Sequence, residues 1–164
     1  MENDKNYNTP YTIGLRPLKD RASIETYMNE VRKSPPAVLG IMTDEKTADF
    51  LEDALGPAFG LTEPAIEEIT RILKDTLLGN SFVGDLSNDI KHKLNIEEYL
   101  AQQIKDKIVK ELLAPAAEDI KKIHREKFPD RIKKGSEPVP PSPPQQTQPT
   151  QVSDSNVINL RNQQ

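Results

Sequence analysis

NIEEYLAQQIKDKIVKELLAPAAEDIKKIHREKFP, Asn95–Pro129, decides how this chain is read. Leu100, Ala101, Ile104, Ile108, Leu112 and Leu113 recur at the spacing of one helical face, and Ile120, Ile123 and Phe128 resume it beyond Pro115. Recurrence at i, i+3 and i+4 predicts an amphipathic helix that buries one stripe. Pro115 lacks an amide hydrogen, so the rod is expected to break or kink near Leu113. Asn95, with Glu98 three residues on, has the form of a capping box. At Phe128 the pattern ends. From Pro129 the chain turns to Pro, Gln, Ser and Thr, with few large apolar side chains until Val152.

Working back from this stretch, Ser81 is expected to cap a shorter helix carrying Phe82, Leu86, Ile90 and Leu94. Thr62-Glu63-Pro64 opens a helix whose stripe is Ile66, Ile69, Leu73 and Leu77. Proline is tolerated in a first turn, where amides have no intrahelical acceptor. Thr43 is read as the cap of a helix from Asp44 to Leu55, with Gly56-Pro57 as its stop. Asp20 caps a helix to Lys33 that carries Ile24, Tyr27, Met28 and Val31, and Ser34-Pro35-Pro36 ends it. A short apolar turn follows at Val38–Met42. Tyr11, Ile13, Leu15 and Leu18 form an irregular lead-in, because Pro10 and Pro17 oppose helix.

No alternation of period two is long enough for a strand. The expected fold is all-α, a compact bundle of about six short helices, because connections are short and each helix has one apolar face to bury. The expected organisation is a polar, irregular leader over residues 1–19, a helical domain over 20–128 and a disordered Pro/Gln-rich tail over 129–164. The tail run Pro138–Pro144 favours polyproline II and serves as a semi-rigid spacer.

Composition limits the chemistry. The chain has 164 residues and no cysteine, which excludes disulfides, thiolate metal sites and cysteine nucleophiles. Its net charge is −4, which supplies no global field for nucleic acid or anionic lipid. The longest apolar stretch, Ala37–Met42, is far short of a membrane span of about 20 residues. The opening Met-Glu-Asn-Asp-Lys has no basic region leading into an apolar one, so no signal peptide is expected and the cytoplasm is the expected compartment.

The strings Gly60-Leu61-Thr62, Leu77-Leu78-Gly79, Leu94-Asn95-Ile96-Glu97, Leu112-Leu113-Ala114-Pro115 and Ile120-Lys121-Lys122-Ile123-His124, with Phe82 and Leu86, resemble those of small uncharacterised helical proteins common in candidate-phyla-radiation (Patescibacteria) bacteria. The resemblance covers about Leu61 to His124 and the layout of the tail. It implies a short helical domain with a Pro/Gln-rich tail and a bacterial cytoplasmic origin, and it lends no functional residues.

The residues that could carry function are few. His92 and His124, the only histidines, are flanked by cations and lack paired ligand spacing, so both are read as surface or boundary residues and no metal or other cofactor is expected. Glu67-Glu68 and Glu97-Glu98 are adjacent on helices and face different ways, which makes them poor acid–base pairs. No Walker loop, G-x-G-x-x-G or G-x-S-x-G is present, and the chain is not expected to be an enzyme. Lys121, Lys122, Arg125 and Lys127, with Arg131, Lys133 and Lys134, form a basic cluster, but Glu118, Asp119, Glu126 and Asp130 interleave it. Near Asn156, Val157, Ile158 and Leu160 cluster beside Arg161, a short β-prone segment that could fill a groove or add a strand to a sheet edge. The leading expectation is therefore a non-catalytic protein–protein interaction module (adaptor or scaffold) whose tail carries a second contact. Its protein partner is unspecified and self-association is open. The alternative is a nucleic-acid-associated protein acting through the basic helix.

Overall fold

Proline at a first turn governs where this chain begins to coil. The computed structural model describes residues 7–135, and α1 (Pro10–Leu15) starts there on Pro10. Thr9 and Thr12 cap each other reciprocally, side chain to backbone. This corrects the expectation of an irregular lead-in over residues 10–15. Pro10 occupies the one position where its missing amide hydrogen costs nothing, and Pro17 lies past the helix end. Ile13 is buried, and Tyr11, Leu15 and Leu18 pack against the core. The ordered body thus begins before residue 20.

α2 (Arg21–Arg32) is capped as expected: Asp20 accepts from the Ser23 amide at 2.8 Å. Tyr27 and Val31 are its buried residues. The Tyr27 hydroxyl donates toward the carbonyls of Pro10 and Tyr11, at 3.3 and 3.2 Å, and the Tyr11 ring stacks on the Tyr27 ring at 5.9 Å. α3 (Pro36–Thr43) makes the apolar turn a full helix that buries Val38 and Met42 completely.

α4 (Glu45–Asp49) is capped by Asp44, which accepts from the Lys46 amide, rather than by Thr43. It runs directly into a π-helical stretch, Phe50–Leu55, and then α5 (Gly56–Phe59). Gly56-Pro57 is therefore not a stop. Gly56 is right-handed and its amide reaches back five residues to the Leu51 carbonyl, while the left-handed stop is Gly60, at φ 61°. The same arrangement returns later. α8 (Glu98–Lys107) continues into a π-helical stretch, Ile108–Leu113, followed by a tight turn, Ala114–Ala116, that carries Pro115. Each π stretch ends one residue before an X-Pro pair. Proline removes an amide donor and crowds the carbonyl four residues back; a wider turn relieves that crowding without ending the rod.

α6 (Glu63–Leu77) is the longest helix among the described residues and the centre of the core: Ile69, Leu73 and Leu77 are fully buried. Buried Thr70 and Thr76 donate their hydroxyls to the carbonyls of Ile66 and Ile72, so neither leaves an unpaired polar atom. α7 (Leu86–Leu94) ends on Asn95, which is left-handed at φ 51°. Asn95 thus closes α7, and Glu97 stands at the start of α8 without a side-chain cap bond, so no capping box forms there. α9 (Ala117–Lys127) buries Ile120 and His124. The chain stays ordered past Phe128: α10 (Pro129–Gly135) follows, held by Arg131, which pairs with Asp85 and lies over the Phe82 ring at 4.9 Å. Residues 129–135, expected to open the tail, are thus helical. Residues 1–6 and 136–164 lie outside the described residues.

The fold is all-α. No strand occurs among the described residues, and one apolar core joins α2, α3, α6, α7, α8 and α9 with both π stretches. No helix among them is long and apolar enough to cross a membrane.

Candidate functional site

Three places on this body gather residues that the sequence or the shape singles out.

The first is His124. It is 1% exposed, which corrects its reading as a surface or boundary residue. Its Nδ1 accepts from the Val83 amide at 3.2 Å, and its Nε2 lies 2.9 Å from the Thr76 carbonyl. An acceptor at Nδ1 and a donor at Nε2 together define a neutral ring with one tautomer. Phe82 and Phe128 flank it, each with its centroid 5.6 Å from the imidazole. Both nitrogens are thus spent on backbone groups, and the ring serves as a structural clasp. The spacing held the signal: His124 stands four residues after Ile120 and four before Phe128, on the same stripe. His92 is exposed on α7.

The second is the basic cluster. Lys121, Lys122 and Arg125 are exposed and share one arc of α9. Glu118 stands within that arc and pairs with Lys121 at 2.7 Å. The hydrogen bond from Lys121 holds the Glu118 carboxyl below its ordinary pKa, so it remains an anion among the cations. Lys127 does not join them. Its stem lies over Gly79, on the other side of α9. The structure therefore brings three of the four expected cations together. The paired carboxylates also take structural partners: Glu67 and Glu68 both bind Arg71, at 3.2 and 2.8 Å, and Glu67 also binds Arg16. Among the described residues no three His, Cys, Asp or Glu side chains converge where they could hold a metal ion.

The third is a groove that no sequence signal announced. α2 forms one wall, and the end of α6 together with α9 forms the other. Its larger part, about 580 Å³, has a floor of Leu77, Leu78 and Ile123, with Glu30, Lys33, Glu126 and Lys127 on the rim. A second part, about 450 Å³, runs on toward Pro17 and Leu18. Thr26, Glu30 and Leu78 line both, so the two form one trough along α2, open to solvent. Gly79, at φ 71°, shapes its edge: a side chain there would meet Ile123 at 2.8 Å and Lys127 at 3.0 Å. The groove depends on residues from three distant segments, and for that reason no local pattern reveals it. A smaller opening of about 360 Å³ lies between α3 and the two π stretches, lined by Phe50, Leu112 and Pro115 among others.

Val157, Ile158, Leu160 and Arg161 lie outside the described residues. Comparison of the chain with protein-family models, curated proteins and solved structures finds no match.

Proposed function

We propose that this chain is a non-catalytic protein-interaction module. The helical domain offers the groove along α2 to an extended peptide segment of a partner protein, and the tail provides a second contact. The observation that supports this reading is the trough itself: an apolar floor with a rim of both charge signs, built on a helix wall rather than closed around a small molecule. Ligand pockets for small molecules enclose most of their guest, whereas an open trough leaves one side of it exposed, as peptide recognition does. A tail joined to such a surface raises the effective concentration of its own contact without new interface area.

The test is partner capture from the native cell by the full-length chain and by a Thr26→Arg/Asn29→Arg variant. Both positions are exposed on α2 and line the groove, so the fold survives the change. The reading expects specific partners to be lost from the variant while its thermal unfolding is unchanged. Capture of the same proteins by both chains overturns it. A chain that ends before Val152 measures what the tail adds.

A further inference from the structure

The chain itself carries an apolar segment long enough to fill the groove. We propose that the C-terminal segment Asn156–Arg161 lies in the α2 groove when no partner is bound, so that the chain covers its own docking surface. This rests on the reading of the groove as a surface for extended peptides.

Length supports the assignment. Along α2 the groove is lined from Ala22 to Glu30, a rise of about 12 Å at 1.5 Å per residue, and it continues past the helix end along Lys33, Ser34 and Pro35. Six extended residues cover about 20 Å at roughly 3.3 Å each. Asn156–Arg161 is six residues, and its Val157, Ile158 and Leu160 supply apolar side chains for a floor whose accessible apolar side chains are Leu78 and Ile123.

Charge supports it as well. Glu30, Glu126, Lys33 and Lys127 stand on the rim, and none has an ion-pair partner among the described residues. The segment carries Arg161 at one end, and Asp154 stands just before the other. Opposite signs at the two ends of an apolar core give it one acid and one base to match against a rim of both signs.

Reach permits it. α10 ends at Gly135, shortly after the α9 residues that wall the groove. About 20 residues separate Gly135 from Asn156, and even as polyproline II they extend roughly 60 Å at 3.1 Å per residue. That is several times the radius of gyration of about 14 Å expected for a body of this size. A tether in this range holds its end at about millimolar effective concentration, so a weak contact is enough to fill the groove. A partner must then displace the segment, and the exposed contact is set by competition.

Methyl-labelled full-length chain, compared by NMR with the same chain carrying Val157→Asp, Ile158→Asp and Leu160→Asp, tests this directly. The substitutions lie outside the described residues, so no core side chain is changed. The expected result is that the Leu78 and Ile123 methyl signals move while those of buried Leu51 and Leu55 stay, independently of protein concentration. Unmoved groove signals overturn the proposal. Shifts that grow with concentration also overturn it, because they place the segment in a second copy. Adding a synthetic peptide of residues 151–164 to the variant separates the two readings. If the peptide moves the groove signals but the intact tail does not, self-occupancy fails while the groove remains a peptide-binding surface. Peptide and intact tail producing the same shifts support the proposal.

Discussion

The imidazole of His124 donates to the carbonyl of Thr76, 2.9 Å away and 48 residues earlier in the chain. Together with the Val83 amide on its other nitrogen, this contact fastens α9 to the end of α6 and to the turn after it. His124→Ala removes both bonds, leaves the half-buried Val83 amide without its acceptor and empties the space between two phenylalanines. A loss of about 2–5 kcal/mol in unfolding free energy is expected, read by urea denaturation. A loss no larger than that of an exposed substitution such as His92→Ala would show that the ring is not a clasp.

Gly79 and Gly60 are both left-handed, but only Gly79 is crowded. Alanine at Gly60 meets open space, so its cost is the backbone term alone, about 1–2 kcal/mol. At Gly79 the added methyl also presses on Ile123 and Lys127, adding about 1–3 kcal/mol. Parallel thermal melts of Gly60→Ala and Gly79→Ala should therefore rank Gly79→Ala as the more damaging. Because Ile123 and Lys127 line the groove, Gly79→Ala should also weaken partner capture; Gly60→Ala should not.

Tyr27 gives an alkaline signature. Burial pushes its phenol above the ordinary value of 10.0. In the unfolded chain it ionises near that ordinary value, while the folded chain keeps it protonated to higher pH. The stability it contributes is complete below about pH 10 and drains away as pH rises beyond it. Tyr27→Phe removes this dependence and costs about 1 kcal/mol at neutral pH, from the lost hydrogen bonds to Pro10 and Tyr11. Comparing the unfolding free energies of the two proteins between pH 8 and pH 11, roughly the range that brackets a free tyrosine, checks the sign. Curves that stay parallel would contradict it.

The basic arc of α9 should not retain nucleic acid. Glu118 sits among Lys121, Lys122 and Arg125 as an anion, and affinity for a phosphate backbone scales with the charges that are free to neutralise it. An electrophoretic titration with RNA and with DNA at low salt is expected to show no retardation at tens of micromolar protein. A shift that Lys122→Glu/Arg125→Glu abolishes would restore the nucleic-acid reading.

Where the sequence had one dominant period, it was legible. The stripe Ile66–Leu77 of α6 and the cap at Asp20 stand where spacing and side-chain chemistry placed them. It misled where one residue type serves two ends. Pro10 starts a helix and Pro57 rides within one, yet both read as breakers, because the backbone partner each proline would deprive is invisible in the sequence. Asn95 ends α7 in a left-handed turn, although a polar residue followed by Glu98 has the form of a start. His124 kept the period but was discounted for its charged neighbours, which point away from the core. The groove was illegible altogether, since Glu30, Leu78 and Glu126 meet only after three helices pack.

The two π stretches have one further consequence. Each acts as a rotational gauge for the rod beyond it, because an ordinary helix turns by about 100° per residue. Deleting a single residue between Ile108 and Leu113 would let that rod wind normally, yet swing Ala116, Ile120 and His124 a quarter-turn or more off the interior. The same deletion between Phe50 and Leu55 would carry Gly56 away from Ile66. In these two places the count of residues matters more than their identity.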